Sequence, residues 1–321
     1  MRIDVNVSIA AAAMLLAITF SQAHAEGGRL LVSNNHDSCI TVVDADILEV
    51  AGEIPTGNRP SELVADEGGA RVYAAIYGTG EVQAIDTASL KVVGKVKAGE
   101  KAYALDITRD GRRLVVIDSS EKGDISVVDT ASMKVINKAK ALQMPVGVRI
   151  SPDGKTVIVT NAEDKAQVFN LDGLVPVRDI NIPREVYEVV YSKDGKMIYF
   201  KSVADQEIVI LDAATLEVAG RMSADNIDGL AFSGDGKEMW YGGPEGFVTV
   251  YSLAENKELA RLETRCGHIF QDILFSPDGR QVFVSPGAED SKSVLVFDAA
   301  TKTLVKQINL SKMARNLLFL K

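Results

Sequence analysis

The residues of this sequence that could do chemistry are charged and aromatic side chains that interrupt a repeated pattern. When the repeats are aligned on their Asp-Gly turns, two neighbouring columns mix small or apolar residues with such side chains. One column contains Glu62, Ala104, Gly147, Glu188, Gly229, Asp272 and Asn316. The other contains Ser61, Tyr103, Val146, Tyr187, Asp228, Gln271 and Arg315. Because binding chemistry tends to break a repeat, we predict a ligand site that includes Glu62, Glu188, Asp272, Asn316, Tyr103 and Tyr187.

These columns are compatible with three interpretations. In a polar ligand pocket, the tyrosines offer flat faces and the carboxylates accept hydrogen bonds. Four basic residues expected on the same face could bind carboxylates or phosphates: Arg59, Lys101, Arg184 and Arg315. In a divalent metal site, the acidic and amide side chains would supply several of the about six to eight oxygens that Ca²⁺ requires, although the sequence contains no local calcium loop. The third interpretation is a hydrated channel mouth without a ligand.

A repeated unit of four short strand-like segments must position these residues. Its clearest copy combines segments 147–151, 156–161, 167–170 and 174–177 with an Asp153-Gly154 turn. Asp-Gly favours a tight hairpin because Gly tolerates positive φ and Asp bonds to the local backbone. An anchor at the end of the third segment recurs every 40 to 46 residues, at Asp44, Asp86, Asp129, Asn170, Asp212, Ser252 and Asp298. This spacing is typical of a four-stranded propeller blade.

The order of the segments predicts how the ring closes. The first repeat lacks its inner strand, and residues 316–320 match that missing segment. We therefore predict an all-β fold: a seven-bladed β-propeller with four-stranded blades, closed by the C-terminal strand pairing into the N-terminal blade. In such a ring the first and seventh blades are neighbours. Cys39 and Cys266 could then form a disulfide, as exported proteins often do, or remain two separate thiols.

Two histidines form a second candidate site. Apart from His24 near the amino terminus, His36 and His268 are the only histidines of the chain. The repeat places both on one face of the first and seventh blades. A pair of imidazoles can bind a transition metal or haem iron, and the alternative is two loop histidines without a ligand.

The repeat resembles the YVTN-type β-propeller repeat, within the wider YVTN/WD40-like class. The resemblance rests on segments such as SPDGKTVIVTN at residues 151–161 and ISVVDT at residues 125–130, and it covers essentially all of the chain after residue 25. It is specific for fold and not for function. The family includes periplasmic and surface binding proteins and accessory factors of redox enzymes.

Two groups of relatives imply cofactors. The related propellers of cytochrome cd1 nitrite reductase and of a d1-haem assembly factor imply that His36, His268 and the basic residues would suit a carboxylate-bearing tetrapyrrole. Propeller-type sugar lactonases imply that Glu62, Glu188, Asp272 and Asn316 would surround a divalent ion.

Residues 1–25 have the form of a cleaved signal peptide. Arg2 precedes the apolar run 9–20, and Ala23-His24-Ala25 is an A-x-A cleavage signature before Glu26. The run is too short to span a bilayer, which needs about 20 residues; an uncleaved anchor is the alternative. We expect the propeller, residues 26–321, to be periplasmic or secreted, monomeric and without a membrane span.

Composition and missing motifs narrow the function. The 321 residues have a net charge of −9, which disfavours non-specific binding to nucleic acid or anionic membrane. No G-x-S-x-G, H-E-x-x-H or phosphate-binding loop occurs. We predict an exported, non-catalytic binding or scaffold protein without a cofactor, which presents one channel face to a protein partner or small ligand and could serve a periplasmic redox system. The alternatives are a protein that handles a d1-haem-like tetrapyrrole and a divalent-metal, lactonase-like hydrolase.

Overall fold

A computed structural model describes residues 28–223, 228–242, 246–264, 270–286 and 292–320. Residues 1–27 lie outside this part of the chain, so the signal peptide stays a prediction. No helix of the described residues is long and apolar enough to cross a bilayer. These residues form 28 strands, in chain order β1 (Arg29–Ser33), β2 (Cys39–Asp44), β3 (Glu49–Pro55), β4 (Pro60–Ala65), β5 (Arg71–Ile76), β6 (Glu81–Asp86), β7 (Lys91–Lys97), β8 (Ala102–Ile107), β9 (Arg113–Asp118), β10 (Asp124–Asp129), β11 (Lys134–Lys140), β12 (Pro145–Ile150), β13 (Thr156–Asn161), β14 (Lys165–Asn170), β15 (Val175–Asn181), β16 (Val186–Tyr191), β17 (Met197–Ser202), β18 (Glu207–Asp212), β19 (Val218–Ser223), β20 (Asp228–Phe232), β21 (Glu238–Gly242), β22 (Phe247–Ser252), β23 (Lys257–Glu263), β24 (Phe270–Phe275), β25 (Gln281–Pro286), β26 (Ser293–Asp298), β27 (Thr303–Asn309) and β28 (Leu317–Leu320).

The strands form seven antiparallel sheets of four strands, which are the blades of a β-propeller. Blade 1 has the order β28-β1-β2-β3, and blades 2 to 7 take the strands from β4 to β27 four at a time. The predicted fold and its closure are confirmed, because Arg29 pairs with Leu320 and Val32 pairs with Leu317. The C-terminal strand is therefore the inner strand of the first blade.

Local hydrogen bonds explain why the Asp-Gly turn recurs. In blade 4 the Asp153 carboxylate accepts the Ser151 hydroxyl (2.7 Å) and the backbone N–H of Lys155 (3.1 Å). Gly154 has φ of +71°, a conformation that glycine adopts at little cost. These bonds, first that from Ser151, lower the pKa of Asp153. In the blades that contain it, the turn thus fixes the register between the inner strand and the next one.

Each outer strand contains a β-bulge at the same position. In blade 2 the register shifts between Ala84 and Ile85, so that Val93 has no partner on β6 and is 54% exposed. A bulge twists an edge strand and weakens its ability to pair with another chain. The outer edge strands of the blades are therefore protected against edge-to-edge association.

The hydrophobic core lies between neighbouring blades. At the closure, Leu30, Val32 and Leu317 of blade 1 pack with Phe283 and Val294 of blade 7, and all five are buried. The packing between blades makes the ring rigid, so the loops at its ends are presented on a fixed frame.

Candidate functional site

The inner strands surround a central channel that contains a cavity of about 1120 Å³. The mouth of this channel is formed by the loops that enter the inner strands and by those that join the second and third strands. The cavity extends from the mouth, at Arg315 and Tyr187, to Pro152 near the Asp-Gly turns. Seven of the predicted ligand residues line it: Glu62, Tyr103, Tyr187, Glu188, Asp272, Arg315 and Asn316.

Four polar side chains inside the channel bond to the backbone of the next blade. Each inner strand is the edge strand of its sheet, so some of its N–H groups need partners from outside the sheet. Asn316 Oδ1 accepts the N–H of Leu63 (2.9 Å), Glu62 Oε2 that of Leu105 (3.0 Å), Asp106 Oδ2 that of Ile150 (2.8 Å), and Asp272 Oδ2 that of Leu317 (2.8 Å). We call Glu62, Asp106, Asp272 and Asn316 the bridging residues.

The bridging residues form an unbroken series from blade 7 through blade 1 to blade 4. A second bond joins blades 7 and 1, because Asn316 Nδ2 donates to Asp272 Oδ2 (2.8 Å). The series extends to blade 5 through Arg149, whose Nε donates to the carbonyl of Val189 (3.0 Å). Three of the predicted ligand residues, Glu62, Asp272 and Asn316, thus join blades. Their side chains are neither simply hydrated nor fully available to a ligand.

Burial changes the ionisation of two bridging carboxyls. It raises the pKa of Glu62 to about 7, although the charge of Arg149 opposes the shift. Burial, and then the charge of Glu188, raises the pKa of Asp272 to about 8. Near neutral pH both groups therefore hold a proton for much of the time. Two ion pairs also lie in the channel, Asp106 with Arg149 (3.8 Å) and Glu188 with Lys201 (3.1 Å).

Glu188 is paired with a buried lysine, Lys201, which the aligned sequence columns did not indicate. Lys201 Nζ donates to Glu188 Oε2 (3.1 Å), and Lys201 is only 4% exposed. Because Lys201 lies opposite Glu188 on the next strand of the same blade, the lysine neutralises the carboxylate within one sheet. The available signal was a lysine directly after the apolar segment 197–200, within the same central strand.

Three cations and two tyrosines meet on one side of the mouth. The guanidinium of Arg59 lies over the Tyr77 ring, with Cζ 4.5 Å from the ring centroid, and Lys101 Nζ lies 5.8 Å from the same centroid. The rings of Tyr77 and Tyr103 meet edge to face at 6.1 Å. Arg315 Cζ lies 4.8 Å over the Tyr103 ring, and its Nη2 donates to the Tyr103 hydroxyl. We call Arg59, Tyr77, Lys101, Tyr103 and Arg315 the basic rim.

The basic rim has no carboxylate partner among the residues that the structure describes. None of the ion pairs found within 4.0 Å in that part of the chain involves Arg59, Lys101 or Arg315. Their aromatic partners supply cation–π contacts and, for Arg315, a hydrogen bond to the Tyr103 hydroxyl, which stabilise a cation without neutralising it. Tyr77 was not among the sequence-predicted residues, and an aromatic residue directly after a second strand was the signal that could have indicated it.

Arg184 and Tyr187, both in or next to blade 5, lie at another part of the mouth. Arg184 Nη2 is 2.8 Å from Asp205 Oδ1, and the Arg184 N–H donates to Asp205 Oδ2 (2.8 Å). Tyr187 is 40% exposed. The structure thus brings Arg59, Lys101, Tyr103 and Arg315 together, whereas Arg184 is already paired with an acid.

Only one residue of the predicted histidine pair, His36, belongs to the described part of the chain. His36 is exposed on the loop between β1 and β2, and His268 lies outside the described residues. Within the described ranges, no group of three or more His, Cys, Asp or Glu side chains could hold a metal ion. The histidine site stays a prediction.

Cys39 is buried at the start of β2, near the seam between the first and last blades. Its Sγ lies 3.0 Å from Lys312 Nζ, which also bonds to Glu53 (3.1 Å). Cys266 belongs to the segment 265–269, which is not described. The disulfide therefore also stays a prediction.

Comparison with known proteins shows the fold. No family model and no curated protein matches the chain. A functionally unknown protein from Desulfotomaculum acetoxidans is similar in structure, with a TM-score of 0.79 at 16% identity over 91% of this chain and 98% of that one. Hydrazine synthase from Kuenenia stuttgartiensis has a TM-score of 0.69 at 20% identity, over 78% and 86% of the two chains.

A third similar structure is the dihydro-haem d1 dehydrogenase NirN in complex with DHE, with a TM-score of 0.70 at 17% identity over 90% of this chain and 74% of that one. Identities this low show a shared β-propeller fold and say nothing about whether an activity is shared. The more specific YVTN resemblance stays a prediction.

Proposed function

We propose that the protein is an exported, non-catalytic binding protein that receives a ligand or a partner at the mouth of its central channel. The observation that carries the proposal is the basic rim, a group of cations without acidic partners in the described structure, beside a cavity of about 1120 Å³. Binding residues are commonly found on loops that a rigid scaffold positions, and at concave sites with a few convergent polar groups.

Export rests on the sequence of residues 1–25, and the intact mass of the exported protein tests it. A chain that begins at Glu26 is expected. A retained leader would overturn this part of the proposal. An accessory role in a periplasmic redox system belongs to the same proposal, and the similarity in fold to the dehydrogenase NirN is compatible with it.

Crosslinking in cells tests the binding face. Tyr187 is replaced by benzoylphenylalanine in the full chain, and the matched control has the same replacement at Val93, which is exposed on the outer strand of blade 2. Illumination is expected to give a specific product from position 187, either a protein adduct or a small-molecule adduct detected by mass. Equal products from both positions, or none from either, would contradict a binding role of the mouth.

Tetrapyrrole handling is a second candidate, because the cations of the basic rim could bind the carboxylates of such a molecule and because NirN, of similar fold, was solved with DHE. A visible absorption spectrum and elemental analysis of the protein, purified without added ligand, separate the alternatives. A Soret-type band supports the tetrapyrrole, and stoichiometric calcium supports the hydrolase. A colourless, metal-free protein removes both and leaves the binding protein.

A further inference from the structure

The backbone holds Arg59 of the basic rim in an uncommon conformation. Its φ is +63°. The Arg59 N–H donates to the carbonyl of Asp37 (2.8 Å), and the Arg59 carbonyl accepts the N–H of Tyr77 (3.0 Å). Met144 and Glu185, which directly precede the inner strands of blades 4 and 5, also have positive φ, so this conformation belongs to the repeat and not to Arg59 alone. Two neighbouring loops thus fix the direction from which Arg59 approaches the mouth.

Contact with the tyrosine rings leaves N–H groups of both arginines able to bind an anion. Arg59 Cζ lies 4.5 Å from the Tyr77 ring centroid, and Arg315 Cζ lies 4.8 Å from the Tyr103 ring centroid. A cation–π contact does not use the guanidinium N–H groups as hydrogen-bond donors, so those that make no other bond can pair with a carboxylate or a phosphate. The Tyr103 hydroxyl accepts a bond from Arg315 Nη2. Its own proton can therefore be donated to an anion as well.

The charge of the basic rim is unbalanced. Lys101 and Arg59 share the Tyr77 ring, and Arg315 lies on the adjoining Tyr103 ring. Three like charges around two rings repel one another, and ion pairing with an anion would relieve this repulsion. The chain as a whole has a net charge of −9, so the charge of this local cluster of three cations is opposite in sign to that of the whole chain.

We propose that the basic rim binds a small polyanion, whose carboxylate or phosphate groups contact Arg59, Lys101 and Arg315. This inference rests on the proposed function and names the class of its ligand. A small molecule is favoured over an acidic segment of a protein because Tyr103 and Arg315 line a concave cavity, whereas protein partners generally use wider and flatter surfaces.

Calorimetric titration of the mature protein at low ionic strength tests the proposal, with citrate as the polycarboxylate and pyrophosphate as the phosphate. At least one probe is expected to bind, and the tighter one identifies the group that the site prefers. Arg59→Gln and Arg315→Gln are each expected to weaken binding roughly 10- to 100-fold, because each removes a charge-assisted contact. The affinity should fall as salt is added.

Arg184→Gln is the matched control, because Arg184 is at the mouth but is paired with Asp205. Its affinity for the better probe should stay that of the unmodified protein. The proposal is overturned if neither probe binds at millimolar concentration, if Arg184→Gln weakens binding as much as Arg315→Gln, or if a glutamate-rich peptide binds more tightly than both probes. If a variant does not fold, Lys101→Gln replaces it. A crosslink from position 187 without any anion binding would sink this inference and leave the proposed function standing.

Discussion

The bridging residues inside the channel and the basic rim at its mouth belong to the same repeats. The bridging residues bond to the backbone of the next blade, whereas the cations of the basic rim lack an acidic partner among the described residues. Glu62 and Asp272 each accept a backbone N–H from the next blade. Arg59 and Arg315 contact tyrosine rings and form no ion pair in the described part of the chain. In the sequence, both groups look alike, as charged residues that interrupt a repeat. The comparison teaches that such an interruption can have two structural outcomes: an acceptor for the N–H of a neighbouring edge strand, or a cation at the mouth that no acid of the described residues neutralises.

This difference predicts that the channel residues control stability and the basic rim controls binding. Variants that separate the two properties therefore test the division.

The largest effect is expected from deletion of residues 317–321, which removes β28. Leu317 and Leu320 are each 4% exposed, and burial of one such side chain contributes about 1.5–3 kcal/mol. The deletion also removes the pairing with β1 and the N–H that Asp272 accepts. A loss of this size is a large part of the roughly 5–15 kcal/mol of a typical domain, so the thermal unfolding midpoint should fall steeply or the protein should fail to fold. Removal of Lys321 alone is the control, and equal midpoints for both truncations would contradict the closure.

A smaller effect is expected from Asp272→Ala. It leaves the Leu317 N–H and the Asn316 side-chain amide without their acceptor, which should lower the free energy of unfolding by about 1–3 kcal/mol. Asp272→Asn keeps an oxygen acceptor and should cost less. Urea denaturation measures both. If the alanine and asparagine variants are equally stable, Asp272 does not join the blades through these bonds.

The protonation of the same carboxyls predicts how stability depends on pH. Burial raises the pKa of Glu62 to about 7 and that of Asp272 to about 8, so the folded state keeps protons that the unfolded state has lost above about pH 4. The free energy of unfolding should therefore decrease as the pH rises from 5 to 8, by at most about 1.4 kcal/mol per pH unit for each group.

The double variant Glu62→Gln, Asp272→Asn tests this pH effect, because neither replacement titrates. Urea denaturation at intervals between pH 5 and pH 8 should give a flatter profile than that of the unmodified protein. Surface carboxyls such as Asp235, whose pKa is lowered to about 2 by its bond from Ser233, act below this window. Parallel profiles for the two proteins would show that the bridging carboxyls are not protonated in the folded state.

The sequence was sufficient for the fold because the relevant information is local. Asp153-Gly154 bonds to its own neighbours, and the order of the segments determines that residues 317–320 complete the first blade. The site was predicted less well because its contacts join different blades. Whether Glu62 meets a ligand or the N–H of Leu105 depends on how two blades pack. Arg184 and Asp205 lie on two loops of the same blade, and the spacing of the repeat does not indicate whether their side chains meet.

The smallest effect on stability is expected from Arg315→Gln, and it is the sharpest test of the comparison. Arg315 contributes a cation–π contact and a bond to a hydroxyl at a partly exposed position, and its removal also relieves repulsion from Arg59 and Lys101. These opposing terms should leave the free energy of unfolding within about 0.5 kcal/mol of its original value. Urea denaturation measures it beside Arg184→Gln, which loses an exposed, solvent-screened ion pair that contributes little to stability. If Arg315→Gln destabilised the protein as much as Asp272→Ala, the basic rim would be part of the framework, and its cations would no longer require an anionic ligand to explain them.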